Sequence, residues 1–132
     1  MEIIKISAII LLSLSCNSAN VKNEQECDRF RTGTFFNKRN KDGVIDAKIT
    51  RTNNYQIEEH YEFNATAKFR INWTGKCSYE LLFESGNAEA RKIIDPTKKV
   101  FVEIVQTTDD ACIIEGWLEG SSIKFRSELR RE

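Results

Sequence analysis

Apolar and polar residues alternate along most of the chain from Arg29 onward, and this alternation constrains the fold more than any other feature of the sequence. A period of two residues is typical of β-strands with one buried face, because successive side chains point to opposite sides of a sheet. Short polar segments interrupt the pattern at regular intervals. The sequence therefore predicts eight strands, at residues 29–36, 44–52, 55–63, 67–74, 76–84, 99–107, 111–118 and 122–129.

Eight short strands joined by short connections predict an all-β domain, either a small antiparallel meander barrel or a strongly curved sheet. Closure into a barrel removes the exposed edges of a sheet. The longest connection, residues 85–98, is predicted to hold a helical turn at Asn87–Lys92. The segment Gly33-Thr34-Phe35 resembles the Gly-x-aromatic opening of lipocalin-like barrels, which implies the same kind of fold.

The positions of the apolar side chains also predict how the strands pair. In the second to fifth strands these side chains fall on odd-numbered positions. Facing residues of an antiparallel pair lie on the same side of the sheet, so the hairpin loops must have odd lengths. Three-residue loops satisfy this condition and place Arg51 opposite Tyr55 and Trp73 opposite Cys77. Ile57 is then expected inside.

Glu59 is the polar residue that this pairing places on an apolar face. A carboxylate inside a barrel can bind a cation or orient a polar ligand, although it more commonly sits at the mouth or pairs with an arginine. Arg51 falls on the same predicted face. We therefore predict an interior polar pair of Glu59 and Arg51, and we expect His60 on the solvent face between Glu58 and Glu62.

The N-terminus has the features of an export signal. Met1–Lys5 carries one cation, and Ile6–Leu14 is an apolar stretch of nine residues interrupted by Ser7 and Ser13. Such a stretch is too short to span a bilayer as a helix and is typical of a signal peptide. Small residues precede Cys16 and polar residues follow it. The segment resembles a lipoprotein signal peptide, which implies that Cys16 becomes the first mature residue and carries membrane-anchoring acyl chains.

The match departs from the usual lipoprotein pattern at one position. An aliphatic residue normally stands three places before the cysteine, where this chain has Ser13. Ordinary cleavage after Ser15 or Ala19 is therefore the alternative, and it gives a secreted soluble protein. The resemblance divides the chain into residues 1–15 as a lipoprotein signal peptide, 16–27 as a polar tether and 28–132 as a single β domain.

The chain has four cysteines, Cys16, Cys27, Cys77 and Cys112. An exported protein meets an oxidising compartment, so disulfides are plausible. If Cys16 is acylated, three single pairings remain. We favour Cys27–Cys77, which closes a loop of about 50 residues and contributes roughly 3–4 kcal/mol; Cys112 is then a small buried apolar residue. If Cys16 is not acylated, two bridges can form.

Several segments between Cys16 and Phe83 together form a pattern shared with a known family. They are Cys27–Phe35, Arg51 with Gln56 and Glu58, and Trp73 followed by Cys77–Leu81. These segments resemble a group of small Bacteroidota lipoproteins with no established activity. The resemblance implies a location in the cell envelope, supports Cys27 and Cys77 as disulfide partners and carries over no catalytic residue.

Charge and motifs argue against several functions. The chain has 20 basic and 20 acidic residues, and removal of Glu2 and Lys5 with the signal peptide leaves 19 of each. A neutral domain lacks the electrostatic attraction that drives non-specific nucleic-acid binding. The sequence has no zinc-ligand spacing, no nucleophile motif and no phosphate loop. We therefore expect no metal, no cofactor, no nucleic-acid partner and no enzymatic activity.

Two functions are consistent with these observations. The first is an envelope lipoprotein, predicted in the outer membrane, whose barrel binds a small apolar or amphipathic ligand. The second is a tethered module with a filled core that binds an envelope protein through an exposed apolar patch. An internal cavity above about 300 Å³ distinguishes the first from the second. The residues predicted to form the patch are Phe35, Leu82, Phe101, Val105, Ile114 and Leu118.

Overall fold

The computed structural model of the protein describes residues 26–39 and 44–131, and the side chains of residues 39, 44 and 45 are outside this description. The predicted signal peptide and Cys16 therefore lie outside the described residues. The strands are β1 (Gly33–Arg39), β2 (Val44–Arg51), β3 (Tyr55–His60), β4 (Ala65–Trp73), β5 (Ser78–Gly86), β6 (Val100–Thr107), β7 (Ala111–Leu118) and β8 (Lys124–Arg131). An α-helix among the described residues, α1, spans Ala88–Ile93.

The eight strands form a closed antiparallel barrel in which each strand pairs with its neighbour in sequence. The barrel closes where β1 pairs with β8, with Phe35 opposite Arg131 and Asn37 opposite Leu129. The all-β prediction is confirmed, and of the two predicted architectures the barrel is the one observed. The inward-facing apolar core includes Phe35, Ile49, Phe69, Ile71, Tyr79, Leu81, Val102, Ile104, Ile114 and Leu129.

Residues 26–30 form a short 3-10 helix that closes one end of the barrel. Phe30 and Cys27 are fully buried there, and a disulfide joins Cys27 to Cys77 in the β4–β5 connection. This confirms the favoured cysteine pairing. The Arg131 guanidinium donates a hydrogen bond to the carbonyl of Arg29 and packs against the Phe30 ring. We call the end of the barrel that residues 26–30 cover the closed end. The prediction that the first strand begins at residue 29 is wrong, because this segment folds as the cap.

The opposite end of the barrel, the open end, carries the β3–β4 turn, the β5–β6 connection and the β7–β8 turn. Helix α1 lies in the β5–β6 connection, where a helical turn was predicted. Its N-cap is Asn87, whose side chain accepts a hydrogen bond from Ala90 N and donates one to Asn64 O at 2.7 Å. These contacts fasten α1 to the β3–β4 turn, and the methyl group of Ala90 is fully buried.

The predicted pairing of Trp73 with Cys77 is wrong, because Trp73 pairs with Tyr79. The connections on both sides of β3 are also one residue longer than predicted. Arg51 pairs with Gln56 rather than Tyr55, and His60 pairs with Ala65. Four residues therefore lie inside each of the two connections, 52–55 and 61–64, instead of the predicted three. An even number of connecting residues switches the inward-pointing positions from odd-numbered to even-numbered residues, or the reverse. Even-numbered residues therefore point inward in β3, whereas odd-numbered residues point inward in β2 and β4.

Candidate functional site

The interior of the barrel is not filled. A cavity of about 320 Å³ lies among the inward-facing side chains, a volume at the low end for small-molecule sites. Its wall is largely apolar, with a few polar side chains concentrated on β3. The residues that line it are Asn37, Ala47, Ile49, Arg51, Gln56, Glu58, His60, Phe69, Tyr79, Leu81, Val100, Val102, Ile114, Phe125, Ser127 and Leu129.

The cavity opens toward the open end of the barrel. Near the closed end, Arg51 and Gln56 are each 3% exposed and Tyr79 is 2% exposed. At the other extreme of the cavity, Phe125 is 47% exposed and the His60 side chain is 37% exposed. Solvent exposure therefore rises along the cavity from a buried floor, formed by Arg51, Gln56 and Tyr79, to a solvent-exposed mouth.

A row of polar side chains runs along β3 from floor to mouth. Its inward residues are Gln56, Glu58 and His60, which follow the two-residue period of a strand. Gln56 donates to Glu58 Oε2 at 2.7 Å, and His60 Nε2 lies 2.8 Å from Glu58 Oε1. Both carboxylate oxygens of Glu58 are thus engaged within the strand. We call these three residues the polar strip.

Arg51 anchors the floor end of the polar strip. Its Nε donates to Gln56 Oε1 at 2.7 Å, one terminal nitrogen donates to the Phe30 carbonyl at 2.8 Å, and the other donates to the Tyr79 hydroxyl. The guanidinium also lies over the Tyr79 ring, 4.6 Å from its centroid. Burial raises the pKa of Tyr79 to about 12, although the charge of Arg51 acts in the opposite direction. The hydroxyl therefore keeps its proton at neutral pH.

The mouth holds a His–carboxylate pair. The hydrogen bond to Glu58 raises the pKa of His60 above its ordinary value of 6.5, with the charges of Glu58 and Asp46 acting in the same direction and burial opposing them. Across the mouth, the Asn37 amide donates to the Ser127 hydroxyl. The expectation that His60 faces solvent beside Glu62 is wrong, because the reversal of β3 turns its ring into the cavity.

The two residues predicted to form an interior pair are not brought together. Arg51 is buried inside the barrel, and its hydrogen-bond partners are Gln56, Tyr79 and Phe30. Glu59 lies between two inward-facing residues of β3 and thus on the outer face, opposite Lys48 and Thr66. The interior carboxylate is Glu58 instead. The alternation of side chains gave no indication of Glu58, because it placed the odd-numbered residues of β3 inside.

Cys112 is a buried cysteine on the inner face of β7, and it has no disulfide partner among the described residues. Burial raises the pKa of its thiol to about 11, so it stays protonated at neutral pH. A protonated thiol is a poor nucleophile. The prediction that Cys112 is a small buried apolar residue is confirmed.

Part of the predicted apolar patch also lies inside. Phe35 and Ile114 are buried. Phe35 pairs with the inward-facing Ile49. Ile114 points inward because Tyr79 pairs with Val102 and Val102 with Gly116, which turns the even-numbered residues of β6 and β7 inward. Leu82, Val105 and Leu118 are exposed as predicted. A separate group of exposed apolar side chains surrounds the open end, namely Tyr61, Phe63, Ile93, Ile123 and Phe125.

A groove of about 520 Å³ on the outside of the barrel is larger than the interior cavity. It is bordered by Tyr55, Arg70 and Glu80, and Lys99 forms an ion pair with Glu80 across 3.4 Å. This groove lies on the convex outer surface, whereas the interior cavity combines enclosure, an apolar wall and convergent polar groups. Those are the features of a small-molecule site, so the cavity is the stronger candidate.

Comparison of the chain with models of known families, with curated proteins and with solved structures finds no match. In the described part of the chain, no group of three or more His, Cys, Asp or Glu side chains is arranged to hold a metal ion. No helix within residues 26–39 and 44–131 has the length and apolar character needed to cross a membrane. The candidate site is therefore defined by the geometry of the cavity alone.

Proposed function

We propose that this protein binds a small amphipathic ligand inside its barrel, and that it does so in the cell envelope, anchored to a membrane through an acylated Cys16. The observation that carries the binding proposal is the cavity of about 320 Å³. Apolar side chains form most of its wall and contribute non-directional affinity, while the few polar groups on one side orient the ligand.

The anchor proposal draws support from the cysteines. A disulfide between Cys27 and Cys77 is typical of proteins exposed to an oxidising compartment. The Cys112 side chain is buried, which does not favour a second bridge, because a buried thiol is poorly accessible to another cysteine. An acylated Cys16 is consistent with this arrangement, whereas a secreted protein with two disulfides requires Cys112 to pair.

Ligand binding is tested by filling the cavity. Val102 lines it and is 2% exposed, whereas Val105 on the same strand is 41% exposed and faces outward. The full chain carrying Cys16→Ala, exported and purified without detergent, is titrated with decanol by calorimetry. We expect Val102→Phe to abolish decanol binding and Val105→Phe to leave it unchanged. Equal binding by both variants, or no binding by the parent chain, contradicts the proposal.

Membrane anchoring is tested by intact mass. The wild-type chain and Cys16→Ala are recovered from the membrane fraction of an exporting bacterium without reductant. We expect the wild type to carry acyl chains on its first mature residue and to have a mass lower by two hydrogens, as one disulfide requires. We expect Cys16→Ala to be absent from the membrane fraction. A soluble, unacylated wild type that has lost four hydrogens overturns the anchor and supports the secreted alternative.

A further inference from the structure

We infer that the floor of the cavity is a binding site for a small oxyanion headgroup, such as a carboxylate, and that Arg51 and Tyr79 donate the hydrogen bonds that hold it. This inference rests on the proposed function and names the chemical class of the ligand. The headgroup lies at the buried floor, and the apolar body of the ligand extends toward the mouth.

The floor has more hydrogen-bond donors than acceptors. A guanidinium has five N–H groups and no acceptor. Arg51 uses one N–H from each nitrogen, toward Gln56, Phe30 and Tyr79. One N–H on each terminal nitrogen is left without an acceptor among the described residues. The Tyr79 oxygen accepts from Arg51, and its own O–H likewise has no acceptor there. Buried donors of this kind are normally satisfied, so a bound acceptor fits the site.

The positive charge of Arg51 at the floor also indicates that an anion binds there. Arg51 is 3% exposed, and all three of its direct partners are neutral. A buried charge normally has an opposite charge in contact with it. The nearest carboxylate along the polar strip is Glu58, which reaches Arg51 only through Gln56 and has both oxygens engaged by Gln56 and His60. An oxyanion at the floor supplies the direct partner that Arg51 lacks.

The polar groups at the mouth are a weaker site for the headgroup. Asn37 is hydrogen-bonded to Ser127, and His60 is hydrogen-bonded to Glu58. This end is also open to water, so a headgroup there would exchange hydrogen bonds with water for similar ones with the protein and gain little affinity. From Gln56 to His60 the strand rises by about 13 Å. The apolar wall over this distance suits an alkyl chain of medium length.

The test compares headgroups on one alkyl chain. The full Cys16→Ala chain is titrated with decanoate, decanol and decyltrimethylammonium, and its Tyr79→Phe variant with decanoate and decanol. Tyr79→Phe removes the hydroxyl and keeps the ring. Tyr55→Phe, on the outer face of β3, is the matched control. We expect decanoate to bind about tenfold more tightly than decanol, and the cation to bind more weakly than either. Tyr79→Phe should weaken decanoate binding by about tenfold and leave decanol binding unchanged.

The outcomes separate this inference from the proposed function. If decanoate and decanol bind equally, or if Tyr79→Phe affects both alike, the cavity binds ligands and the floor is not an oxyanion site. If the cation binds most tightly, Glu58 rather than Arg51 sets the specificity and the inference is wrong. If none of the three compounds binds the parent chain, the proposed function fails, and the inference fails with it.

Discussion

Strands β3 and β4 are paired neighbours in the barrel, yet they present opposite chemistry to its interior. The inward residues of β4 include Ala67, Phe69 and Ile71, all of them buried. The inward residues of β3 are the polar strip, while its apolar residue Ile57 is turned outward and is 36% exposed. A filled core would not tolerate this arrangement. In this barrel the polar side chains of β3 line one side of the cavity, and they distinguish the candidate site from the packed core.

The physical cause of the difference is the length of two turns. Four residues connect the paired positions Arg51 and Gln56, and four connect His60 and Ala65. In the second turn Asn64 adopts a positive φ of 51°, a backbone region that asparagine tolerates better than most residues. Both turns have even lengths, so the inward face of β3 is reversed relative to that of both β2 and β4.

The largest expected effect comes from matched isoleucine truncations in the two strands. Ile71→Ala in β4 removes a side chain that is 5% exposed and should lower the free energy of unfolding by about 3 kcal/mol, because it leaves a cavity in a packed region. Ile57→Ala in β3 should cost below about 1 kcal/mol. Urea denaturation measures both. Similar losses for the two variants would show that β3 buries its odd-numbered face after all.

A smaller difference is expected between adjacent glutamates of β3. Glu58→Gln keeps the size of the side chain and removes the charge that accepts from Gln56 and His60. We expect it to lower the free energy of unfolding by about 1–2 kcal/mol. Glu59→Gln, on the outer face, should change it by less than about 0.5 kcal/mol. The comparison between the strands breaks down if Glu59→Gln proves the more costly of the two in the same denaturation assay.

The smallest expected effect is on pH dependence, and it concerns the mouth. The folded-state pKa of His60 is raised above 6.5 by its contact with Glu58. Its contribution to stability is therefore fully present below pH 6.5, the unfolded value, and is lost as pH rises through the higher folded value. We expect wild type to exceed His60→Gln in stability at about pH 5.5 and to lose that advantage by about pH 9.

Glu58→Gln provides the control for the pH experiment. Without the carboxylate, the pKa of His60 loses the main cause of its upward shift. In the Glu58→Gln background the advantage of His60 at low pH should therefore disappear. An advantage that persists there, or one that grows with rising pH, is inconsistent with a His60–Glu58 pair at the mouth.

Much of the fold could be predicted from the sequence because it depends on local pattern. Alternation predicted eight strands, although the first begins at Gly33 rather than residue 29, and a helical turn was predicted in the long connection that holds α1. The pairing of Cys27 with Cys77 could also be anticipated. The site was predicted less well. Arg51 was correctly placed inside, but Glu59 was chosen in place of Glu58, because the aromatic and aliphatic residues of β3 were expected to be buried.

The alternation of side chains by itself determined that this chain forms an all-β domain of eight strands, since the two-residue period is a property of each strand alone. Only the tertiary structure decided which face of β3 points inward. That choice depends on the lengths of the turns at both ends of the strand and on pairing with β2 and β4. It also depends on an interior left partly empty, where Gln56 and Glu58 gain hydrogen bonds around Arg51 that they would lack outside.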